Sequence, residues 1–130
     1  HLQVINTDIP VAVWTRSGSH IGFEQIPGAW QQQNRGSPFI IPQGLGAGSL
    51  TPIPEKDFEP LTISPGARMG FYVALRRNKG MLMRGQRDDT VLVEDDHVVI
   101  EAGTSFNSDR FGDFVTGKMW NGAVRYIVSP

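Results

Sequence analysis

The sequence predicts an all-β chain: an antiparallel β-sandwich, jelly-roll or immunoglobulin-like, of about eight short strands. Two observations predict it. Short runs of β-branched and aromatic residues recur along the chain, and turn residues, 15 Gly and 9 Pro in 130 positions, fall between them. No internal repeat, heptad or low-complexity tract interrupts this pattern, and only the stretch from Thr104 to Phe114 leaves room for a helical turn, with Gly112 and Asn107-Ser108-Asp109 favouring a loop.

Taken in order, Val11-Ala12-Val13-Trp14-Thr15 reads as a strand that Arg16-Ser17-Gly18-Ser19 turns into His20-Ile21-Gly22-Phe23-Glu24, a first hairpin. Phe39-Ile40-Ile41 reads as a short strand ended by Pro42. Gly44, Gly46, Gly48, Pro52 and Pro54 then mark a long loop or an edge. Phe58 to Ser64 and Met69 to Leu75 flank Pro65-Gly66. Pro presets φ at the first central turn position and Gly accepts positive φ at the second, so Ser64 to Ala67 predicts a type II turn and a second hairpin. Arg76 to Gly80 makes a further turn before Met81-Leu82-Met83. Thr90 to Val93 and Val98 to Ile100 pair around Glu94-Asp95-Asp96-His97, and Met119-Trp120 and Ala123 to Val128 pair around Asn121-Gly122.

Residues 1–130 read as a single domain with an N-terminal arm at 1–10, where Leu2, Val4 and Ile5 either add a strand to a neighbouring subunit or open the chain's own sandwich. Twelve basic and thirteen acidic residues give a net charge of −1, so no overall field gathers nucleic acid or an anionic membrane. No apolar stretch approaches the roughly 20 residues that span a bilayer, and membrane insertion is not expected. Zero cysteines exclude disulfides and thiol chemistry.

Pro65-Gly66-Ala67-Arg68-Met69-Gly70-Phe71-Tyr72-Val73, Asp96-His97-Val98-Val99-Ile100-Glu101-Ala102-Gly103, Phe111-Gly112-Asp113-Phe114 and Met119-Trp120-Asn121-Gly122-Ala123-Val124-Arg125-Tyr126 form an ordered set of motifs. This set resembles a poorly characterised β-rich domain that recurs in predicted secreted or surface proteins of bacteria and of diatoms and their relatives. Val13-Trp14-Thr15, Gly22-Phe23-Glu24 and Ala29-Trp30 extend the resemblance over most of the chain, while Lys118 stands where that pattern often has arginine. The resemblance implies a β-sandwich and an extracellular or cell-surface setting, with an organelle lumen or the interior of an algal compartment as the alternative. It implies no activity and no catalytic residues.

Several groups carry candidate chemistry. His1, if it begins the mature chain, offers an amino group and imidazole to copper, with His20 or His97 completing a histidine brace; a processing remnant or fragment boundary explains the same residue without metal. Asp88, Asp89, Asp95 and Asp96, beside Glu94, present carboxylate oxygens of the kind calcium takes, but their spacing is not that of an EF-hand loop; solvated turn acids are the preferred account, and no cofactor is expected. Asp109 and Asp113 flank Arg110 and pair with it on the surface. Trp14 and Trp120 belong to the core. Trp30, followed by Gln31-Gln32-Gln33-Asn34-Arg35, is the candidate sugar platform, with Gln32 and Arg35 as hydrogen-bonding partners. Arg76, Arg77, Lys79, Arg84 and Arg87 gather around one hairpin end and suit an acidic partner, and the acids from Asp88 to Asp96 follow directly.

The hydrolase elbow, phosphate loop and helical histidine pair are absent from the sequence. The expectation is therefore a non-catalytic structural module that associates with itself into a layer, shell or fibre. A carbohydrate-binding or adhesive module is the first alternative, and a copper-dependent oxidative enzyme using His1 the second.

Overall fold

The computed structural model of the chain describes residues 10–42, 44–46, 48–76, 84–85, 91–106 and 110–130. The described residues are all-β, with only two short 3-10 turns, Pro27–Ala29 and Glu55–Asp57, and no α-helix. The strands are β1 (Val11–Ser17), β2 (Gln31–Gln32), β3 (Met69–Leu75), β4 (Arg84–Gly85), β5 (Val91–Glu94), β6 (Val99–Glu101), β7 (Gly103–Phe106) and β8 (Phe114–Met119). They form three small antiparallel sheets ordered β2-β1-β3, β4-β8-β7 and β5-β6.

The first sheet holds the core because β1 is apolar on both faces. Its run Val11-Ala12-Val13-Trp14-Thr15 does not alternate, and an uninterrupted apolar strand is one that neighbours cover on both sides. Full-length pairing with β3 sets Val11 opposite Leu75, Val13 opposite Val73 and Trp14 opposite Tyr72. Cross-strand partners share a face, so two clusters result. Val11, Val13 and Leu75 pack with Ile53, Phe58, Val73 and Trp120 on one side; Trp30, Tyr72 and Ala74 pack with Trp14, Phe23, Ala29, Phe106 and Phe111 on the other. Trp14 and Trp120 are thus both core contacts.

The free edge of β1 is closed by side chains as well as by backbone. β2 contributes only two residues, and beyond it the Asn34 amide takes over: its Oδ1 accepts from Val13 N at 2.9 Å and its Nδ2 donates to Val11 O at 3.1 Å. Ile40 then exchanges two backbone bonds with Val11, and Gln33 Nε2 donates to the buried Thr15 hydroxyl at 2.8 Å. Buried polar groups left without partners destabilise a sheet by about 1–3 kcal/mol each, so these amides replace the strand that the sequence does not supply.

Tyr72 joins the first sheet to the second. Its ring stacks on Phe111 with centroids 4.7 Å apart, lies 4.9 Å from Phe106 of β7, and meets Trp14 and Trp30 edge-on at 5.6 and 5.5 Å. Its hydroxyl accepts a hydrogen bond from Phe111 N at 3.1 Å. Phe111 has φ of 58°, in the left-handed region, and Tyr72 therefore holds the one described non-glycine residue with positive φ.

Several expected elements differ. The type II turn forms, with Ala67 N donating to Ser64 O and Gly66 at φ of 75°. Its predicted hairpin does not, because residues 58–64 form no strand: Pro60 lacks a donor, and the chain here bridges Phe58 to Asn34 instead, Arg35 N donating to Asp57 O and Glu59 N to Gln33 O. β3 pairs with β1. The hairpin expected from Val11 to Glu24 is likewise absent; β1 runs on to Ser17, and residues 20–29 fold as successive turns around Gly22 and Pro27. Gly103–Phe106 and Phe114–Met119 are strands paired with each other; of the stretch from Thr104 to Phe114, where a loop or helical turn was expected, Thr104 to Phe106 belong to β7 and Phe114 opens β8. The Asn121-Gly122 hairpin is missing, since neither residue takes the positive φ that a two-residue turn needs, and residues 123–130 form no strand. The β5-β6 hairpin is present as predicted. The N-terminal arm lies outside the described residues, apart from Pro10.

Candidate functional site

Three surface features bear on function. The first is a cleft of about 360 Å³ lined by Thr15, Arg16, Ser17, Trp30, Gln31 and Gln33, with Leu61 and Met69 at its apolar side. The end of β1 and the start of β3 form its floor, and the Pro27–Ala29 turn delivers Trp30 to it. The tight approach here fixes Gly70, where a Cβ would meet Arg16 Cγ at 3.2 Å and Trp30 Cη2 at 3.3 Å. Arg16 spreads over Phe23, its guanidinium carbon 3.6 Å from the ring centroid, donates through Nη1 to Ser19 O, and leaves its buried Nε without a partner.

Trp30 was expected as an exposed sugar platform, and the structure corrects this. It is 9% exposed, its indole N–H donates to Phe23 O at 2.9 Å, and its ring packs on Tyr72. Only its rim borders the cleft. Gln32 and Arg35 do not join it: Gln32 Nε2 donates to Pro38 O at 2.7 Å, and Arg35 pairs with Glu59 at 2.7 Å. That pair raises the Arg35 pKa and lowers that of Glu59, the shared hydrogen bond being the largest cause of each. The polar groups that line the cleft come from Thr15, Arg16 and Ser17 of β1 and from Gln31 and Gln33; sequence reading named the two glutamines but took Arg16 and Ser17 for a turn.

The second feature is a basic, aromatic-backed face. The guanidinium carbons of Arg76, just after β3, and Arg110, just before β8, lie 5.9 and 5.2 Å from the centroid of Phe39, and Arg110 also lies 5.5 Å from Trp14. Guanidinium over an aromatic face is a favourable contact that leaves the N–H edges free to reach outward. The expected pairing of Arg110 with Asp113 does not form. The described salt bridges are Arg35–Glu59 and Arg68–Glu101, so neither Arg76 nor Arg110 has a carboxylate partner among the described residues. Ile41, 66% exposed, lies two residues from Phe39. Of the other expected basic and acidic candidates, Arg77, Lys79, Asp88 and Asp89 fall outside the described residues, as does His1.

The third feature is the acidic tip of the β5-β6 hairpin, where Glu94, Asp95 and Asp96 are consecutive and exposed. Asp95 folds the turn. Its Oδ1 accepts from His97 N at 2.8 Å and Val98 N at 2.9 Å, its own N–H donates to Val98 O, and its Oδ2 accepts from Tyr126 Oη at 2.5 Å. The Tyr126 hydroxyl, followed by the two backbone donors, holds the Asp95 carboxyl below its ordinary range, and Asp95 in turn raises Tyr126. Asp95 thus has one oxygen bonded within the turn and the other to Tyr126, and among the described residues no group of three or more His, Asp or Glu is placed to hold a metal. His20 is bound to Thr104 Oγ1 at 3.1 Å.

Apolar side chains surround this tip. Val91, Val93 and Val99 are 47%, 57% and 50% exposed, and Tyr126, Ile127 and Val128 follow it with 44%, 90% and 58%. A two-stranded ribbon with uncovered apolar side chains is marginal in water by itself. Among the described residues no helix is long and apolar enough to cross a membrane. The chain matches no known protein family, no curated protein and no solved structure.

Proposed function

We propose that this chain is a non-catalytic structural module, of β-sandwich type, that associates with copies of itself into a layer, shell or fibre at an extracellular or cell-surface site. The observation that carries the reading is its uncovered apolar surface: Val91, Val93 and Val99 of the β5-β6 ribbon are 47%, 57% and 50% exposed, and Tyr126, Ile127 and Val128 are 44%, 90% and 58% exposed. Apolar side chains left open on a ribbon and on extended chain are the form that adds to a neighbour's sheet. The sheets β2-β1-β3 and β4-β8-β7, bridged by Tyr72, are the two layers of the proposed sandwich, and the sequence resemblance to secreted and surface domains supports the setting.

Light scattering after size exclusion, with negative-stain electron microscopy at physiological salt, tests the reading. The expected particle has several times the mass of the chain and a repeating outline. A monomer across the accessible concentration range overturns it.

The cleft beside Trp30 favours a second reading, a carbohydrate-binding module, because its volume suits a sugar ring and hydroxyl, amide and guanidinium groups converge on it. Glycan-array binding that disappears in Gln31→Ala with the fold unchanged supports that reading, and an array without signal for the wild-type chain overturns it.

A further inference from the structure

We propose that the acidic tip of the β5-β6 hairpin on one copy docks on the Arg76–Phe39–Arg110 face of the next, a head-to-tail contact between two copies of this chain. The inference rests on the self-association reading and names its interface.

The two faces are complementary in charge, and among the described residues neither Arg76 and Arg110 nor Glu94 and Asp96 form an ion pair. Arg76 and Arg110 converge over one phenyl ring without a carboxylate in reach among the described residues. The tip presents Glu94 and Asp96 on either side of Asp95, whose own oxygens are committed to the turn and to Tyr126. That division of labour matters: Asp95 makes the tip a fixed shape, and Glu94 and Asp96 carry the outward charge. Guanidinium forks backed by an aromatic ring pair with such carboxylates by charge-assisted, bidentate hydrogen bonds. Each face also has an apolar margin, Val93 and Val99 beside the tip and Ile41 beside Phe39. Burying these margins supplies the affinity, while the charges fix partner and register.

The two faces are different surfaces of the same chain, so the contact is heterologous. Its repetition generates a ring or an open filament rather than a closed pair.

Charge exchange tests the contact. One variant carries Arg76→Glu and Arg110→Glu, the other Glu94→Lys and Asp96→Lys; all four positions are exposed. Alone, each variant sets like charges together, and the concentration needed for assembly should rise at least tenfold. Mixed in equal amounts they restore opposite charges at every junction, and assembly should return. Wild-type assembly should also weaken as salt is raised. Because the chain has no cysteine, an Asp96→Cys copy and an Arg76→Cys copy give an independent readout: oxidation of the mixture should yield the heterodimer in preference to either homodimer. That readout serves if a charge variant fails to fold.

A wild-type chain that stays monomeric overturns both this contact and the self-association reading. Wild-type assembly that both charge variants retain within twofold, or that the mixture fails to restore, overturns this contact alone. A mixture of cysteine variants giving only homodimers does the same.

Discussion

Replacing Tyr72 with alanine removes the ring on which Trp14, Trp30, Phe106 and Phe111 converge, and with it the hydroxyl that accepts the Phe111 amide. Truncating a buried aromatic destabilises a domain by about 3–5 kcal/mol. The upper half of that range applies here, since each aromatic pair adds about 0.5–1.5 kcal/mol beyond simple burial. Tyr72→Phe separates the two contributions. It keeps the ring and leaves the Phe111 N–H without its acceptor, a loss of about 1–2 kcal/mol. Against a total stability of about 5–15 kcal/mol, the alanine variant approaches unfolding and the phenylalanine variant does not.

Urea denaturation followed by circular dichroism, at one fixed protein concentration, measures both. Phe71→Ala is the internal control: it sits next along β3, points to the other face and is 48% exposed. Equal midpoints for Tyr72→Ala and Phe71→Ala would refute the argument that Tyr72 couples the two sheets. The pH dependence carries a second sign. Burial is the largest cause of the raised Tyr72 pKa, with the Phe111 amide and Arg110 opposing it. A tyrosine whose folded pKa is raised contributes stability in full below its unfolded value of about 10. That contribution is lost as pH climbs from there through the folded value. Wild-type stability should therefore fall above about pH 10 more steeply than that of Tyr72→Phe, while Tyr126 titrates in both.

The remaining predictions concern the two polar devices that stand in for missing strands and turns. Asn34→Leu leaves Val13 N without its acceptor at the edge of β1, while Val11 O keeps the Ile40 amide, and should lower stability by about 1–3 kcal/mol in the same denaturation experiment, a change within error arguing that water satisfies that edge. The low Asp95 pKa gives stability that is present above its unfolded value, near 4, and lost as pH falls through the folded one, so the protection of the His97 and Val98 amides, measured against their intrinsic exchange rate at each pH, should fall on acidification; Asp95→Asn should abolish that acid dependence, and an unchanged profile would remove Asp95 from the turn.

The parts of this fold that sequence reading finds are those with a local cause. Ser64 to Ala67 turns as expected because proline and glycine each fix one dihedral, and β5 and β6 pair because an Asx-type turn at Asp95 joins two β-branched runs. Where pairing is non-local, local signals mislead. β1 looks for its partner in the next β-like run, His20 to Glu24, but finds β3 more than fifty residues on, because only a second seven-residue apolar run can match both of its faces. Asn121-Gly122 carries a strong turn signature and forms no hairpin, since a turn dipeptide acts only where strands on both sides have partners.

The candidate sites divide the same way. The acidic tip at Glu94 to Asp96 is legible from residue order, as is Arg76 from the basic run it begins, whereas Arg110 and the Phe39 ring that gathers it with Arg76 come from distant segments and are not. Trp30 fails as a platform for the converse reason. A tryptophan beside a polar run looks exposed, yet its neighbours Gln33 and Asn34 are polar because they complete the edge of β1, and the indole follows them inward to Tyr72. A polar run beside an aromatic residue can therefore report a hydrogen-bonding debt at a strand edge as readily as a ligand site, and the two are told apart by whether the amides already have backbone partners.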